Sequence, residues 1–189
     1  MEDSLPDSGC GNNVNCYLND NFGDNNYTNN FTRIETVPAA SNLFSTIREE
    51  QGALWLNCVN NEAGGIVLGK LSLRTRRVFT GPFTSSLRFN SIKTGDSKAY
   101  VSLVNPVNNS GVRINLSSVS VGWHTLSSTK TNTEVKFYYD GTLFYTMSSS
   151  STDGYFLKFD TVSDSASTVP STLLMDDVSV TTGSTSTPP

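Results

Sequence analysis

The run VKFYYDGTLFYT, residues 135–146, alternates apolar and polar positions on both sides of Asp140-Gly141. Alternation at period two is the pattern of a half-buried strand. An Asp-Gly centre suits a two-residue turn with positive φ at both positions, so the run predicts a β-hairpin. Val135, Phe137 and Tyr139 then share one face, and Lys136, Tyr138 and Asp140 take the other.

The pattern recurs along the chain. GALWLNCV (52–59) sets Leu54, Leu56 and Cys58 against Trp55 and Asn57, and FTSSLRFNSI (83–92) places Leu87 with Phe89. Further strands are expected within 64–79, 99–105, 111–119, 122–130, 155–162 and 172–182, with Gly, Pro, Asn and Asp pairs between them. Many short strands at regular spacing predict an all-β, antiparallel two-sheet β-sandwich. SNLFSTIREEQG (41–52) is the one segment that reads as a single helical turn or loop. Residues 1–19, rich in Gly and Asn, read as an irregular arm; 20–182 form the sandwich; GSTSTPP (183–189) is a linker or tail. The expected core is Leu54, Leu56, Leu73, Leu87, Phe89, Trp123, Val135, Phe137 and Val178.

Composition narrows the function. The 189-residue chain has a formal net charge of −4 and draws its polarity from Ser, Thr and Asn rather than from charge. Phosphate binding calls for a basic surface, so a nucleic-acid partner is not expected. No apolar run approaches the ~20 residues of a membrane-spanning helix, and MEDSLPDSGC has no apolar core of a signal peptide. Three cysteines allow one intrachain disulfide. Cys10–Cys16 is the expected pair, with a tie from either one to Cys58 as the rival. With one His and no paired C-x-x-C, a zinc site is not expected. Asn26, Asn30, Asn108 and Asn115 each begin a glycosylation triplet, although a chain so rich in Asn, Ser and Thr makes such triplets by chance. Together these features point to an extracellular or cell-surface setting.

GWHTLSSTKTNTEVKFYYDGTLF (122–144) resembles a signature of the concanavalin A-like lectin/glucanase superfamily, especially its laminin-G-type modules. The matching residues are Trp123, His124, Leu126, Val135, Phe137, Tyr139, Asp140, Gly141 and Leu143. LLMDDVSVTT (173–182) is similar to the closing strand of jelly-roll carbohydrate-binding modules, and LNDNFGDNN (18–26) to their opening segment. The resemblance implies a jelly roll over residues 18–182 and places Trp123 in the core. The superfamily holds enzymes, lectins, adhesins and structural proteins, so the fold alone does not settle the activity.

Glycoside hydrolysis uses two carboxylates facing one bond, and the glucanase branch sets them on one strand as E-x-D-x-x-E. Glu35, Glu49, Glu50, Glu62 and Glu134 have no acidic partner at strand spacing, so catalysis is not expected. A Ser/His/Asp triad would have to use His124, the single His, and no G-x-S-x-G elbow accompanies it. Calcium is expected as a structural ion. Asp20 and Asp24 near the first strand and Asp176 and Asp177 in the last supply hard oxygens where those strands would pair. Asp176 and Asp177 face opposite ways on a strand, so only one joins a given site. Sugar binding is expected at the aromatics Trp55, Tyr138, Tyr145 and Tyr155 with Asn57 and Arg88 beside them. Arg74, Arg76 and Arg77 form a basic cluster suited to an acidic glycan or to a solvated strand face.

The expected function is therefore a non-catalytic, calcium-stabilised carbohydrate-binding or adhesion module whose partner is a carbohydrate or glycoconjugate. The first alternative is a self-assembling extracellular structural subunit (filament, tube or sheath), which joins copies of itself through its N-terminal arm. The second is a glucanase-like glycoside hydrolase.

Overall fold

A computed structural model describes residues 16–24, 26–36, 43–60, 69–92, 98–109, 111–116, 120, 122–163 and 171–183. Among the described residues the elements are β1 (Cys16–Asp20), a 3-10 turn (Tyr27–Asn29), β2 (Phe31–Thr36), β3 (Leu43–Glu50), β4 (Ala53–Asn60), β5 (Gly69–Thr75) and β6 (Phe83–Ile92). β7 (Lys98–Val104), β8 (Gly111–Asn115), β9 (Trp123–Lys130), β10 (Glu134–Tyr139), β11 (Thr142–Ser148), β12 (Phe156–Ser163) and β13 (Ser171–Thr182) follow.

They form two sheets. The larger has eight strands in the order β11-β10-β9-β6-β13-β4-β3, with β1 added against β13; the smaller has five, in the order β2-β5-β12-β7-β8. Every named pairing is antiparallel. Long β13 organises the larger sheet. Residues 171–175 pair with β4, and a bulge then intervenes between Asp176 and Ser179, with Asp177 at φ 50°. Beyond it residues 178–181 pair with β1. Extra residues at a bulge change which side chains face inward, and Met175 and Val178 are both fully buried on either side of it.

The core lies between the sheets. Leu54, Leu56, Leu73, Leu87, Phe89, Val135, Phe137 and Val178 are all buried, and Leu71, Phe159 and Met175 join them. The predicted hairpin forms as β10 and β11, with Asp140 at φ 45° and Gly141 at φ 77°.

Three expectations are corrected. Trp123 is 40% exposed, not in the core. Leu126 on the same strand is buried, and residues three apart on a strand face opposite ways. Residues 43–50 are strand rather than helical turn or loop. β3 pairs with β4 through a two-residue turn of Gln51 (φ 56°) and Gly52 (φ 72°), and an edge pairing overrides weak local preference. Residues 16–19 of the supposed irregular arm belong to β1, because β13 has backbone groups to pair there.

Candidate functional site

The outer face of the five-stranded sheet carries the groove. Register sets two rows of side chains across its strands. Arg74 of β5 lies opposite Lys158 of β12, Lys158 opposite Ser102 of β7, and Ser102 opposite Arg113 of β8. One step along, Ser72, Asp160, Tyr100 and Asn115 form the second row. Leu73, Phe159, Val101 and Leu103 point the other way, into the core. Sheet alternation alone therefore places every polar group of the two rows on one surface.

Asp160 is the centre. Its side chain is 2% exposed. Ser72 donates its hydroxyl proton to Oδ1 at 2.5 Å, and Lys158 Nζ lies 3.2 Å from Oδ1 and 3.3 Å from Oδ2. Lys70 and Arg113 stand at 3.8 and 4.0 Å. Burial, opposed by the Asp160 charge and reinforced by Lys158 and Arg113, holds the Lys70 ammonium below its usual range. Arg74 and Arg113 each lie over a ring, Arg74 5.3 Å above Phe156 and Arg113 3.5 Å above Tyr100. A groove of ≈490 Å³ runs between these groups. Asp160 is the one carboxylate among its described lining residues. Sequence reading missed it, and the Lys158-Phe159-Asp160 alternation about a core Phe was the signal available.

The aromatic sugar platform does not assemble as expected. Tyr155 is 1% exposed and Tyr138 8%, so neither offers a ring face to a sugar. Tyr155 is tied to Phe79 by a pair of backbone hydrogen bonds, and its hydroxyl lies 2.9 Å from Ser149 Oγ. Tyr145 is 47% exposed on β11. Trp55, Asn57 and Arg88 do share the outer face of the larger sheet. Trp55 is half-buried with Arg48 5.1 Å above its ring, and Asn57 accepts a 2.6 Å bond from Thr172. Arg88 lies 4.7 Å above Trp123 and pairs with Asp176 at 3.1 Å. The arginine cluster also divides. Arg74 joins the groove, whereas Arg76 and Arg77 donate to the carbonyls of Thr28 and Tyr17.

The four aspartates expected to hold calcium are split in the same way. Asp20 accepts from the Phe22 amide and the Asn30 side chain, both at 2.9 Å, and Asp24 accepts from the Asn26 amide. Asp176 is engaged by Arg88 on another surface, and Asp177 is exposed. Among the described residues no group of three or more His, Cys, Asp or Glu is placed to hold a metal ion. Asp20 and Asp24 both act on Glu49, whereas Asp176 is held by Arg88.

His124 does meet a serine and an aspartate. Its Nδ1 lies 2.8 Å from Asp140 Oδ2, and its Nε2 3.1 Å from Ser120 Oγ. Nε2 also lies 3.2 Å from the Ser120 carbonyl oxygen. Asp140 Oδ2 only accepts, so Nδ1–H donates to it, and the neutral ring then leaves Nε2 to accept the Ser120 hydroxyl proton. The row joins Ser120, His124 and Asp140 in one hydrogen-bonded chain.

Cys16 is disulfide-bonded and Cys58 is a buried thiol; Cys10, the expected partner of Cys16, lies outside the described residues. Most of the N-terminal arm on which the self-assembling alternative rests lies outside them too. Asn26, Asn108 and Asn115 are exposed, whereas the amide of Asn30 is engaged by Asp20. Among the described residues no helix is long and apolar enough to cross a membrane.

No protein-family model matches the chain, and no curated protein matches it in sequence. Its fold does match solved structures. One is a glycosyl hydrolase family protein from Mycobacterium fortuitum, at TM-score 0.65 and 14% identity over 88% of this chain and 100% of that one. Another is the catalytic domain of an endo-1,3-β-glucanase (laminarinase) from Thermotoga petrophila, at 0.65 and 12% over 88% and 96%. A third is a GlcNAcα1-4Gal-releasing endo-β-galactosidase from Clostridium perfringens, at 0.64 and 13% over 88% and 62%. At such identities the likeness establishes the fold, a concanavalin A-like jelly roll. The expectation of a non-catalytic binding or adhesion module, and with it that of no enzyme, is corrected. The similar structures named here are glycoside hydrolases, which favours the hydrolase alternative.

Proposed function

We propose that this concanavalin A-like jelly roll is an endo-acting glycoside hydrolase whose cleft is the groove on the outer face of its five-stranded sheet. One observation carries the reading: a buried carboxylate, Asp160, lies in the floor of a polar groove on a fold shared with glycan-cleaving enzymes. The Ser-, Thr- and Asn-rich composition and the disulfide at Cys16 support an extracellular setting.

Glycosidic cleavage needs a proton for the leaving oxygen and a negative group against the charge that develops on the sugar. Asp160 supplies the negative group, oriented by Ser72 and Lys158. Lys70, beside that carboxylate, is the cation placed to give the proton to the leaving oxygen. The pair stands 3.8 Å apart. That leaves no room for a glycosidic oxygen and its ring between them, so substrate must part them. Ser102 and Asn109 line the groove and give sugar hydroxyls partners.

The test is reducing-end release from a panel of soluble polysaccharides by the native chain and by Asp160→Asn. Release that falls by about 100-fold or more in the variant supports the reading. Release that is unaltered by the substitution, or absent across the panel, contradicts it.

A further inference from the structure

We infer that the groove takes an anionic glycan, one bearing sulfate esters or uronate carboxylates, whose charge replaces Asp160 as the counter-ion of Lys158, Lys70 and Arg113. The inference rests on the reading of this groove as the glycan cleft and names the substrate class.

Charge is the first argument. The chain as a whole is acidic, at −4, yet Lys70, Arg74, Arg113 and Lys158 converge on a groove with one described carboxylate. One carboxylate cannot neutralise four cations, and like charges held side by side repel unless a further anion enters. Burial is the main cause of the lowered basicity of Lys70; Asp160 opposes it, and Lys158 and Arg113 add to the lowering.

Geometry is the second. Arg74, Lys158 and Arg113 lie in one cross-strand row, with Ser102 between the last two. Adjacent strands are about 5 Å apart, so Lys158 and Arg113 are about 10 Å apart at their backbones. A linear glycan laid across the strands meets positive charge at intervals, as a chain substituted on successive or alternate sugars requires. The two guanidinium groups lie over the Phe156 and Tyr100 rings. A guanidinium held over a ring has N–H groups to give a sulfate or carboxylate and less freedom to lose on binding.

The third argument concerns access. Asp160 is almost sealed by the head groups of Lys70 and Lys158. A neutral sugar has nothing to draw those ammonium groups aside. An anionic substituent competes with Asp160 for them and uncovers the carboxylate at the moment substrate is bound.

Affinity electrophoresis and calorimetry with three defined glycans test this: a sulfated galactan, polygalacturonate and neutral laminarin. Poly-glutamate serves as a non-glycan polyanion. The expected result is retention by one or both anionic glycans at low salt, lost on raising sodium chloride, with little retention by laminarin or poly-glutamate. Whichever of the two anionic glycans is held identifies sulfate or carboxylate as the group read. Arg74→Gln and Arg113→Gln should each weaken binding about ten-fold with the melting temperature unchanged. Asp160→Asn should bind at least as tightly as the native chain. Preference for laminarin, equal retention by poly-glutamate, or indifference to both arginine substitutions overturns the inference. Selective anionic binding without bond cleavage would sink the hydrolase reading alone. Asp160-dependent cleavage of neutral glycan alone would sink this inference and spare that reading.

Discussion

His124 Nδ1 lies 2.8 Å from Asp140 Oδ2, and this contact ties the β10–β11 turn to the strand beside it. The same carboxylate accepts from the Thr125 amide at 2.8 Å, and the Asp140 amide returns a bond to the Thr125 carbonyl. Burial pushes the Asp140 carboxyl up, but the Thr125 amide and His124 outweigh it and hold it below the usual range. A depressed carboxylate stabilises the fold above its unfolded pKa and loses that contribution as pH falls through the folded value. Asp140→Ala removes both bonds and puts alanine at φ 45°. It should cost about 1–3 kcal/mol in denaturant unfolding at pH 7. The difference from the native chain should shrink in acid below pH 4. An unchanged midpoint at pH 7 would show that the turn holds without this contact.

Glu49 predicts a pH dependence of the opposite sense. Its carboxylate oxygens are buried and meet no hydrogen bond of normal geometry. Burial first, then the charges of Asp24 and Asp20, push its pKa from 4.5 up to about 7, against the opposing pull of the Asn26 and Tyr27 amides. An acid with a raised folded pKa favours folding while neutral. Its contribution is complete below pH 4.5, declines between 4.5 and about 7, and is gone above. Glu49→Gln should flatten that slope and raise stability at pH 8 by about 1 kcal/mol, allowing for the partial exposure of the side chain. Thermal unfolding followed from pH 4 to 8 checks this, and parallel curves for the two proteins would refute it.

Gly111 controls the groove wall. A Cβ there would sit 2.0 Å from the Leu103 carbonyl oxygen and 3.0 Å from Val104 Cα, both backbone atoms of the paired strand. Gly111→Ala must therefore push β8 from β7. The expected cost is about 2–4 kcal/mol, with loss of glycan binding as Arg113 moves. A variant with native stability and binding would show that β8 is free to shift.

The fold was legible wherever local pattern and global pairing agree. Residues 135–146 carry their alternation and their turn in one stretch, though not the register shift between Phe137 and Tyr138, and β6 begins and ends at the predicted residues 83 and 92. Residues 43–50 were not legible, because their conformation follows from pairing with β4, and Gln51 does not advertise a left-handed turn. Trp123 was misplaced by resemblance, although its three-residue offset from Leu126 already set the two on opposite faces. The groove was least legible. Ser72 and Asp160 stand 88 residues apart in sequence and meet only because β5 and β12 pair in one register. A search for two acids at strand spacing within one segment has no means of finding such a site.

The central claim is that the outer face of the five-stranded sheet is a working glycan cleft with Asp160 at its heart. The most direct measurement is reducing-end release from sulfated galactan, polygalacturonate and laminarin by the native chain beside Asp160→Asn and Arg113→Gln. The account predicts cleavage of at least one anionic glycan, a loss of about 100-fold or more on Asp160→Asn, and a raised KM on Arg113→Gln. Cleavage that survives Asp160→Asn, or no cleavage of any of the three, would contradict it.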